Sequence, residues 1–138
     1  MAEIGSVPPP YALALGVCDL IYRDRSTGKR FILGCFSVLH ARDFPAVHPA
    51  LCIYLDLTNG RGPVSIKVQI ADTDELHEPI WSGESVIDFV DPRMVAELDF
   101  IVGGLRFPDA GEYRVQVFAD SQFIVERRLL VNKIGGQS

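Results

Sequence analysis

The sequence predicts an all-β protein, a Greek-key β-sandwich of seven to eight antiparallel strands. Short runs in which apolar and polar residues alternate recur along the chain, and most are separated by residues typical of turns. No window of twelve residues repeats apolar positions at intervals of three and four, which excludes a helix-rich α/β fold. The chain of 138 residues has the length of one domain.

The chain begins with two predicted strands joined by a polar loop. Leu13–Tyr22 and Arg30–Phe36 are the two apolar runs, and the loop between them contains the Ser, Thr and Gly residues that favour turns. In the second strand Phe31, Leu33 and Cys35 share one face, because side chains alternate along a strand.

The middle of the chain contains a crossing segment and two further strands. In Val38–Pro49 each of two prolines biases the residue before it toward extended geometry. Leu51–Leu57 is the third strand, and Val64–Ile70 is the fourth, with the clearest alternation in the chain. The Asn59-Gly60 dipeptide between them is a turn signal.

The second half of the chain predicts an acidic loop followed by more strands. Ala71–Pro79 is the acidic loop, and Ile80–Val90 holds one or two short strands. Glu97–Phe107 is extended, with a bulge at its paired glycines. Glu112–Ala119 and Phe123–Val131 form a hairpin.

Composition divides the chain into three segments and excludes some partners. Residues 13–131 form the sandwich domain, residues 1–12 an extended or disordered lead-in, and residues 132–138 a flexible tail. A net charge of −5 with scattered Lys and Arg argues against nucleic-acid binding, and acidic character disfavours anionic membranes. No secretory signal is apparent, and no segment has the ~20 apolar residues of a membrane span.

The three cysteines indicate a reducing environment. Their odd number argues against a disulfide framework. Cys18, Cys35 and Cys52 recur at intervals of 17 residues, but their flanking residues do not match, so the spacing indicates no repeat. We expect a cytoplasmic protein in which these thiols are small buried hydrophobes and none is an activated nucleophile.

A turn near the end of the chain carries a recognisable motif. Asp109, Gly111 and Tyr113 stand in the order Asp-x-Gly-x-Tyr, just before a strand in which Tyr113, Val115 and Val117 share a face. This order resembles the tyrosine corner of immunoglobulin-like sandwiches. The resemblance implies that the Tyr113 hydroxyl fastens the corner to the backbone.

Motifs along the chain resemble a family of small uncharacterised bacterial proteins with an immunoglobulin-like β-sandwich. They are Gly16-Val17-Cys18-Asp19, Thr27-Gly28-Lys29, Gly34 with Phe36, Phe44-Pro45, His48-Pro49 and Phe107-Pro108-x-x-Gly111-x-Tyr113. The resemblance covers about residues 13–131 and implies the fold, but it brings no activity, cofactor or partner. Val115 stands where antibody domains place a disulfide cysteine, which fits an intracellular version without that disulfide.

Two groups of residues are possible metal ligands. Cys35, His40, His48 and Cys52 lie within one segment, but their spacing lacks the Cys-x-x-Cys knuckle of zinc sites, and we predict no metal there. The loop Ala71–Pro79 offers carboxylates for weak calcium binding, although it lacks the full pattern of a calcium loop. A solvated acidic turn is the simpler interpretation of this loop.

Two aromatic residues are candidates for function. Trp81, the single tryptophan, is interpreted as a core anchor between the sheets, with a sugar-stacking platform as the alternative. Phe118 falls on the polar side of its strand, where it forms a strip with Arg114 and Gln116. Such a strip has a composition favoured at interfaces, although a bulge could turn Phe118 inward.

The sequence therefore predicts a non-enzymatic cytoplasmic module without a cofactor. No nucleophile elbow, Walker loop, dinucleotide-binding motif or zinc-protease motif is present. We expect a protein partner, or a second copy of the chain, to bind an exposed sheet face or edge, with Arg114, Gln116 and Phe118 as contacts. The alternative is a ligand-binding β-sandwich for carbohydrate or calcium.

Overall fold

The structure is a computed structural model that describes residues 8–74 and 77–135. The all-β prediction is confirmed, since those residues form strands, turns and loops without a helix. The strands are β1 (Tyr11–Arg23), β2 (Arg30–Cys35), β3 (Val38–Ala41), β4 (Ala46–Thr58), β5 (Gly62–Asp72), β6 (Trp81–Phe89), β7 (Ala96–Phe107), β8 (Gly111–Ala119) and β9 (Gln122–Lys133). The described part of the chain has no helix with the length and apolar character needed to cross a membrane.

The nine strands form two sheets, ordered β2-β1-β4-β7 and β3-β9-β8-β5-β6. Neighbouring strands are antiparallel except β3 and β9, which are parallel. The predicted count of seven to eight antiparallel strands is therefore wrong. The predicted crossing segment Val38–Pro49 supplies β3 and the beginning of β4, and pairing with β9 satisfies backbone groups of β3.

One apolar core lies between the two sheets. Alternate residues of β4 and β5 provide much of it, as the alternation in the sequence predicts. Leu51, Ile53, Leu55, Leu57, Val64, Ile66, Val68 and Ile70 are each 5% exposed or less. Because full burial of such a side chain stabilises by roughly 1.5–3 kcal/mol, these two strands contribute strongly to holding the sheets together.

The corner between β7 and β8 is fastened by Tyr113. The hydroxyl donates a hydrogen bond to the carbonyl oxygen of Asp109 (2.6 Å) and accepts one from its backbone N–H (3.3 Å). The ring is 1% exposed and meets Phe107 edge-on, with centroids 5.0 Å apart. Gly111 follows with a φ of 150°, which favours glycine. This is the hydrogen bond that the resemblance to a tyrosine corner implies.

The strands reach slightly beyond the predicted domain of residues 13–131. β1 begins at Tyr11, and β9 ends at Lys133. Most of the predicted lead-in falls on residues 1–7, and the end of the predicted tail falls on residues 136–138. Both of those stretches lie outside the described residues.

Candidate functional site

The predicted partner-binding strip lies on the outer face of β8. Arg114, Gln116 and Phe118 alternate with buried residues of the same strand, so they point away from the core. Phe118 keeps this orientation although the pairing of β8 with β9 shifts beside it. Its partly buried ring meets that of Phe123 edge-on, with centroids 5.9 Å apart.

Ion pairs of Arg114 and a hydrogen bond of Gln116 already engage the polar members of this strip within the domain. The Arg114 guanidinium donates to Glu112 at 2.7 Å and to Glu126 at 2.5 Å, and Gln116 donates to Glu126 at 3.1 Å. The hydrogen bond from Arg114 lowers the pKa of Glu112, and those from Gln116 and Arg114 lower the pKa of Glu126. Three of the five N–H donors of Arg114 are therefore already used within the domain, which leaves fewer of them for a new partner.

The acidic loop brings three possible metal ligands together. Ligand atoms of Asp72, Asp74 and His77 lie within 4.8 Å of one another, and His77 Nδ1 is 3.7 Å from a carboxylate oxygen of Asp74. Asp74 and His77 are exposed, so a solvated turn also accounts for the arrangement. Glu75 and Leu76 lie outside the described residues. Calcium binding by this loop stays the alternative to a solvated turn.

Trp81 lies at the start of β6, where the edges of the two sheets approach each other. Its ring meets that of Phe100 in β7 edge-on, with centroids 6.1 Å apart. The ring also covers Gly83, where an added Cβ would be 2.8 Å from it. Trp81 is partly buried and packs against the core. The ring is therefore engaged in packing at this edge, and the geometry does not favour a sugar-stacking platform.

The hairpin of β1 and β2 carries an apolar surface that the sequence analysis missed. Leu20, Tyr22, Phe31 and Leu33 form this surface, with exposed fractions of 54%, 54%, 46% and 49%; we call it the hairpin face. Leu20 pairs directly with Leu33, and Tyr22 with Phe31, across the two strands. Single exposed apolar side chains are common, whereas a contiguous group of large ones is a candidate for a binding surface.

Two arginines hold the hairpin through ion pairs with β4 and β7. Arg30 contacts Asp56 at 2.5 Å and Asp99 at 3.1 Å, and its side chain is only 5% exposed. Arg23 contacts Asp99 at 3.0 Å and Glu97 at 2.7 Å. Burial acts to lower the pKa of Arg30, but the bonds and charges of Asp56 and Asp99 outweigh burial and leave that pKa raised.

These ion pairs show that the hairpin folds back over the outer face of its own sheet. Cys18 lies opposite Cys52 in the pairing of β1 with β4, and Asp99 lies opposite Tyr54 in the pairing of β4 with β7. A straight β1 would carry Arg23 about 16 Å beyond Cys18, in the direction away from Asp99. Since Arg23 contacts Asp99, β1 bends after Cys18. The hairpin face then points to solvent.

The hairpin also differs in charge from the rest of the chain. Residues 19–35 contain four of the 13 Lys and Arg residues and two of the 18 Asp and Glu residues. The hairpin therefore carries +2, whereas the remainder of the chain carries −7. Arg25 and Lys29 at the hairpin tip are exposed, and their side chains form no ion pair with the described residues. A basic tip thus lies beside the apolar hairpin face.

The three cysteines lie side by side in one sheet. Cys18 pairs with Cys35 of β2 on one side and with Cys52 of β4 on the other. The expectation that all three thiols are buried is wrong for Cys35, which is exposed because β2 is an edge strand. Among the described residues, no three of the four ligands considered for zinc come together as a possible metal site.

Stability should fall at alkaline pH through Cys18. Burial, followed by the neighbouring Cys52 and Cys35, raises the pKa of the Cys18 thiol from its ordinary value of 9.0 to about 11. Between these values the folded state binds more protons than the unfolded state, so stability is complete below pH 9 and is lost as the pH rises. We expect Cys18 to account for a loss of about 2 kcal/mol between pH 9 and 11.

Urea unfolding at a series of pH values measures this loss, and Cys18→Ala is the variant that tests its origin. The variant should show a shallower decline, with a remainder from Cys52 and Tyr113, whose pKa values burial also raises. A decline as steep as that of the wild type would assign the effect to other groups.

The fold and the site define a two-sheet all-β domain with an exposed apolar hairpin. The chain belongs to a family of unknown function, DUF6941, whose model matches residues 13–132. This match confirms the resemblance to an uncharacterised family over nearly the same residues. No curated protein matches the chain.

The solved structures that are similar to the chain include the following weak match. It is a β-glucosidase from Listeria innocua, crystallised in complex with isofagomine, with a TM-score of 0.42 and 11% sequence identity. The similarity covers 88% of this chain and 16% of that chain, so this chain spans a small part of the enzyme's length. A likeness at this level carries no argument about activity.

Proposed function

We propose that this protein is a non-enzymatic interaction module that binds a protein partner through the hairpin face. The observation that carries the proposal is the exposure of about half of each of four large apolar side chains in two adjacent cross-strand pairs. Arg23 and Arg30 hold the hairpin in place before binding. Association therefore does not have to order this segment, which lowers its entropic cost.

Charge indicates the chemistry of the partner. The partner would present an apolar groove with an acidic rim, since the hairpin carries +2 in a chain of net charge −5. Arg25 and Lys29 would meet the rim, while the acidic remainder of the domain would repel the same surface. Aromatic residues such as Tyr22 and Phe31 are enriched at the centres of interfaces.

We also propose a fold class and a cellular compartment for the protein. We assign the two sheets to the immunoglobulin-like Greek-key class, and the hydrogen bond between Tyr113 and Asp109 supports this assignment. We propose that the protein is bacterial and lies in the cytoplasm. The odd number of cysteines supports a reducing compartment.

Two earlier candidates rank below the hairpin face. The strip of Arg114, Gln116 and Phe118 ranks lower because its arginine is already paired within the domain. The ligand-binding alternative has one observation in its favour, the approach of Asp72, Asp74 and His77 to one another. Calorimetric titration of the chain with millimolar calcium tests that alternative, and the absence of heat rejects it.

The hairpin proposal is tested on a partner captured from native lysate, identified and then purified. Tyr22→Ser and Leu33→Ser should each raise the Kd about tenfold or more, because truncating a central apolar contact costs about 1.4 kcal/mol or more. Val86→Ser is the matched control, since Val86 is 67% exposed on β6 of the other sheet. The control should bind as the wild type does.

Charge reversal at the hairpin tip and truncation on β8 separate the two candidate surfaces. Arg25→Glu combined with Lys29→Glu should weaken binding, and the difference from the wild type should shrink as salt is added. Binding that is unchanged in both hairpin variants but lost in Phe118→Ala would move the contact to β8 and overturn the proposal. Circular dichroism of each variant confirms that it is folded.

A further inference from the structure

Cys35, Cys18 and Cys52 lie in one row across β2, β1 and β4. Cys18 is the direct partner of Cys35 in one strand pair and of Cys52 in the other. Direct partners in antiparallel strands have Cα atoms about 4.5 or 5.5 Å apart, with side chains on the same side. A disulfide needs a Cα separation of about 4.4–6.8 Å. The Cα separation expected for either pair therefore lies within the range that a disulfide needs.

Exposure distinguishes the three thiols. Cys35 is exposed on an edge strand, whereas Cys18 is 0% exposed and Cys52 is 5% exposed. A dissolved oxidant therefore reaches Cys35 first. The thiol of Cys18 is then the neighbour of the oxidised Cys35, directly across the strand pair. Cysteines that respond to peroxide are accessible and often lie next to a resolving cysteine, and Cys35 has both of these features.

We propose that Cys35 and Cys18 form a peroxide-responsive site that closes to a cross-strand disulfide. In the first step the Cys35 thiolate attacks hydrogen peroxide. An S–O bond forms, the O–O bond breaks, and the hydroxide released takes a proton to become water. In the second step the Cys18 thiolate attacks the sulfur of the Cys35 sulfenic acid, and the S–O bond breaks as the disulfide forms. This hydroxide is also protonated to water.

The electrons balance over the two steps. The two thiols lose two electrons, and one peroxide molecule is reduced to two molecules of water. The disulfide joins the strands at the base of the hairpin, beside the pair of Leu20 and Leu33. Its formation requires no binding partner, so this inference stands or fails separately from the proposed function.

The test treats the purified full chain with hydrogen peroxide, blocks free thiols by alkylation and maps the products by mass spectrometry after non-reducing digestion. The expected product links Cys18 to Cys35 within one chain and leaves Cys52 alkylated. Cys52→Ser is the matched control and should give the same link. Cys35→Ser should give no disulfide, because the two remaining thiols are buried.

Two further observations test the order of the steps. Cys18→Ala should leave Cys35 as a sulfenic acid that dimedone traps. Because burial raises the pKa of the Cys18 thiol, closure should accelerate about tenfold per pH unit between pH 7 and 9 in the wild type and in Cys52→Ser. If Cys18→Ala does not fold, the pH dependence and the Cys35→Ser variant still test the proposal.

Three outcomes would overturn the inference. The first is a link between Cys18 and Cys52 in place of the link to Cys35. The second is a disulfide that joins two chains through Cys35 while Cys18 remains reduced. The third is overoxidation of Cys35 to the sulfinic acid in the wild type without any internal link.

Discussion

Replacement of Arg30 by methionine is expected to destabilise the protein by about 3 kcal/mol. The Arg30 side chain is 5% exposed, and its guanidinium contacts Asp56 and Asp99 and lies 5.7 Å from the centroid of the Tyr54 ring. Methionine keeps the apolar stem but leaves both carboxylates without this cation. Because these carboxylates are 20% and 24% exposed, the loss should lie at the lower end for a broken buried ion pair.

Arg25→Met is the matched control for this substitution. Arg25 lies in the same hairpin but is exposed and forms no ion pair with the described part of the chain, so its loss should change stability by less than about 0.5 kcal/mol. Urea unfolding gives the two free energies, and amide hydrogen exchange should become faster in residues 19–35 of Arg30→Met only. Equal losses in the two variants would show that the ion pairs do not hold the hairpin.

Local alternation made most of the strands predictable. In β5 from Val64 to Ile70 and in β8 from Glu112 to Val117 apolar and polar residues alternate, and the apolar side is the buried one. This signal is contained in neighbouring residues, so it requires no knowledge of strand pairing. β3 lacks it, because Val38–Ala41 becomes a strand only through parallel pairing with the distant β9.

The hairpin face could not be predicted by the same rule. In β2, Phe31 and Leu33 alternate with Arg30 and Ile32, so both faces of the strand contain apolar residues. Alternation separates the two faces but does not show which of them becomes covered. Here the deciding groups are carboxylates of β4 and β7 that bind Arg30, and they lie far from the hairpin in sequence.

Of the two pairings in the row of cysteines, only the pairing of Cys18 with Cys35 could be predicted from the sequence. The polar loop sets the pairing of β1 with β2, and counting five residues outward from the pair Arg23 and Arg30 puts Cys18 opposite Cys35. The equal spacing of the cysteines still indicates no repeat, but the short loop is enough to place Cys18 opposite Cys35. The pairing of Cys18 with Cys52 depends on the register of β1 and β4, which no short turn determines.

Replacement of Tyr113 by phenylalanine is expected to destabilise the protein by about 2 kcal/mol. The substitution keeps the buried ring against Phe107 but removes the hydroxyl that both donates to and accepts from the backbone of Asp109. Since Asp109 is exposed, water can replace part of this bonding, which limits the loss. The melting temperature should fall by roughly 5–10 °C, measured by circular dichroism.

Tyr11→Phe provides the comparison that isolates the corner. Tyr11 is 62% exposed, and its hydroxyl makes no hydrogen bond to the residues that the structure describes, so its removal should leave the melting temperature within about 2 °C of the wild type. A Tyr113→Phe variant as stable as Tyr11→Phe would mean that ring packing alone maintains the bend between β7 and β8. In that case the hydrogen bonds between Tyr113 and Asp109 would be no more stable than the bonds to water that replace them on unfolding. They would then not determine how the chain enters β8.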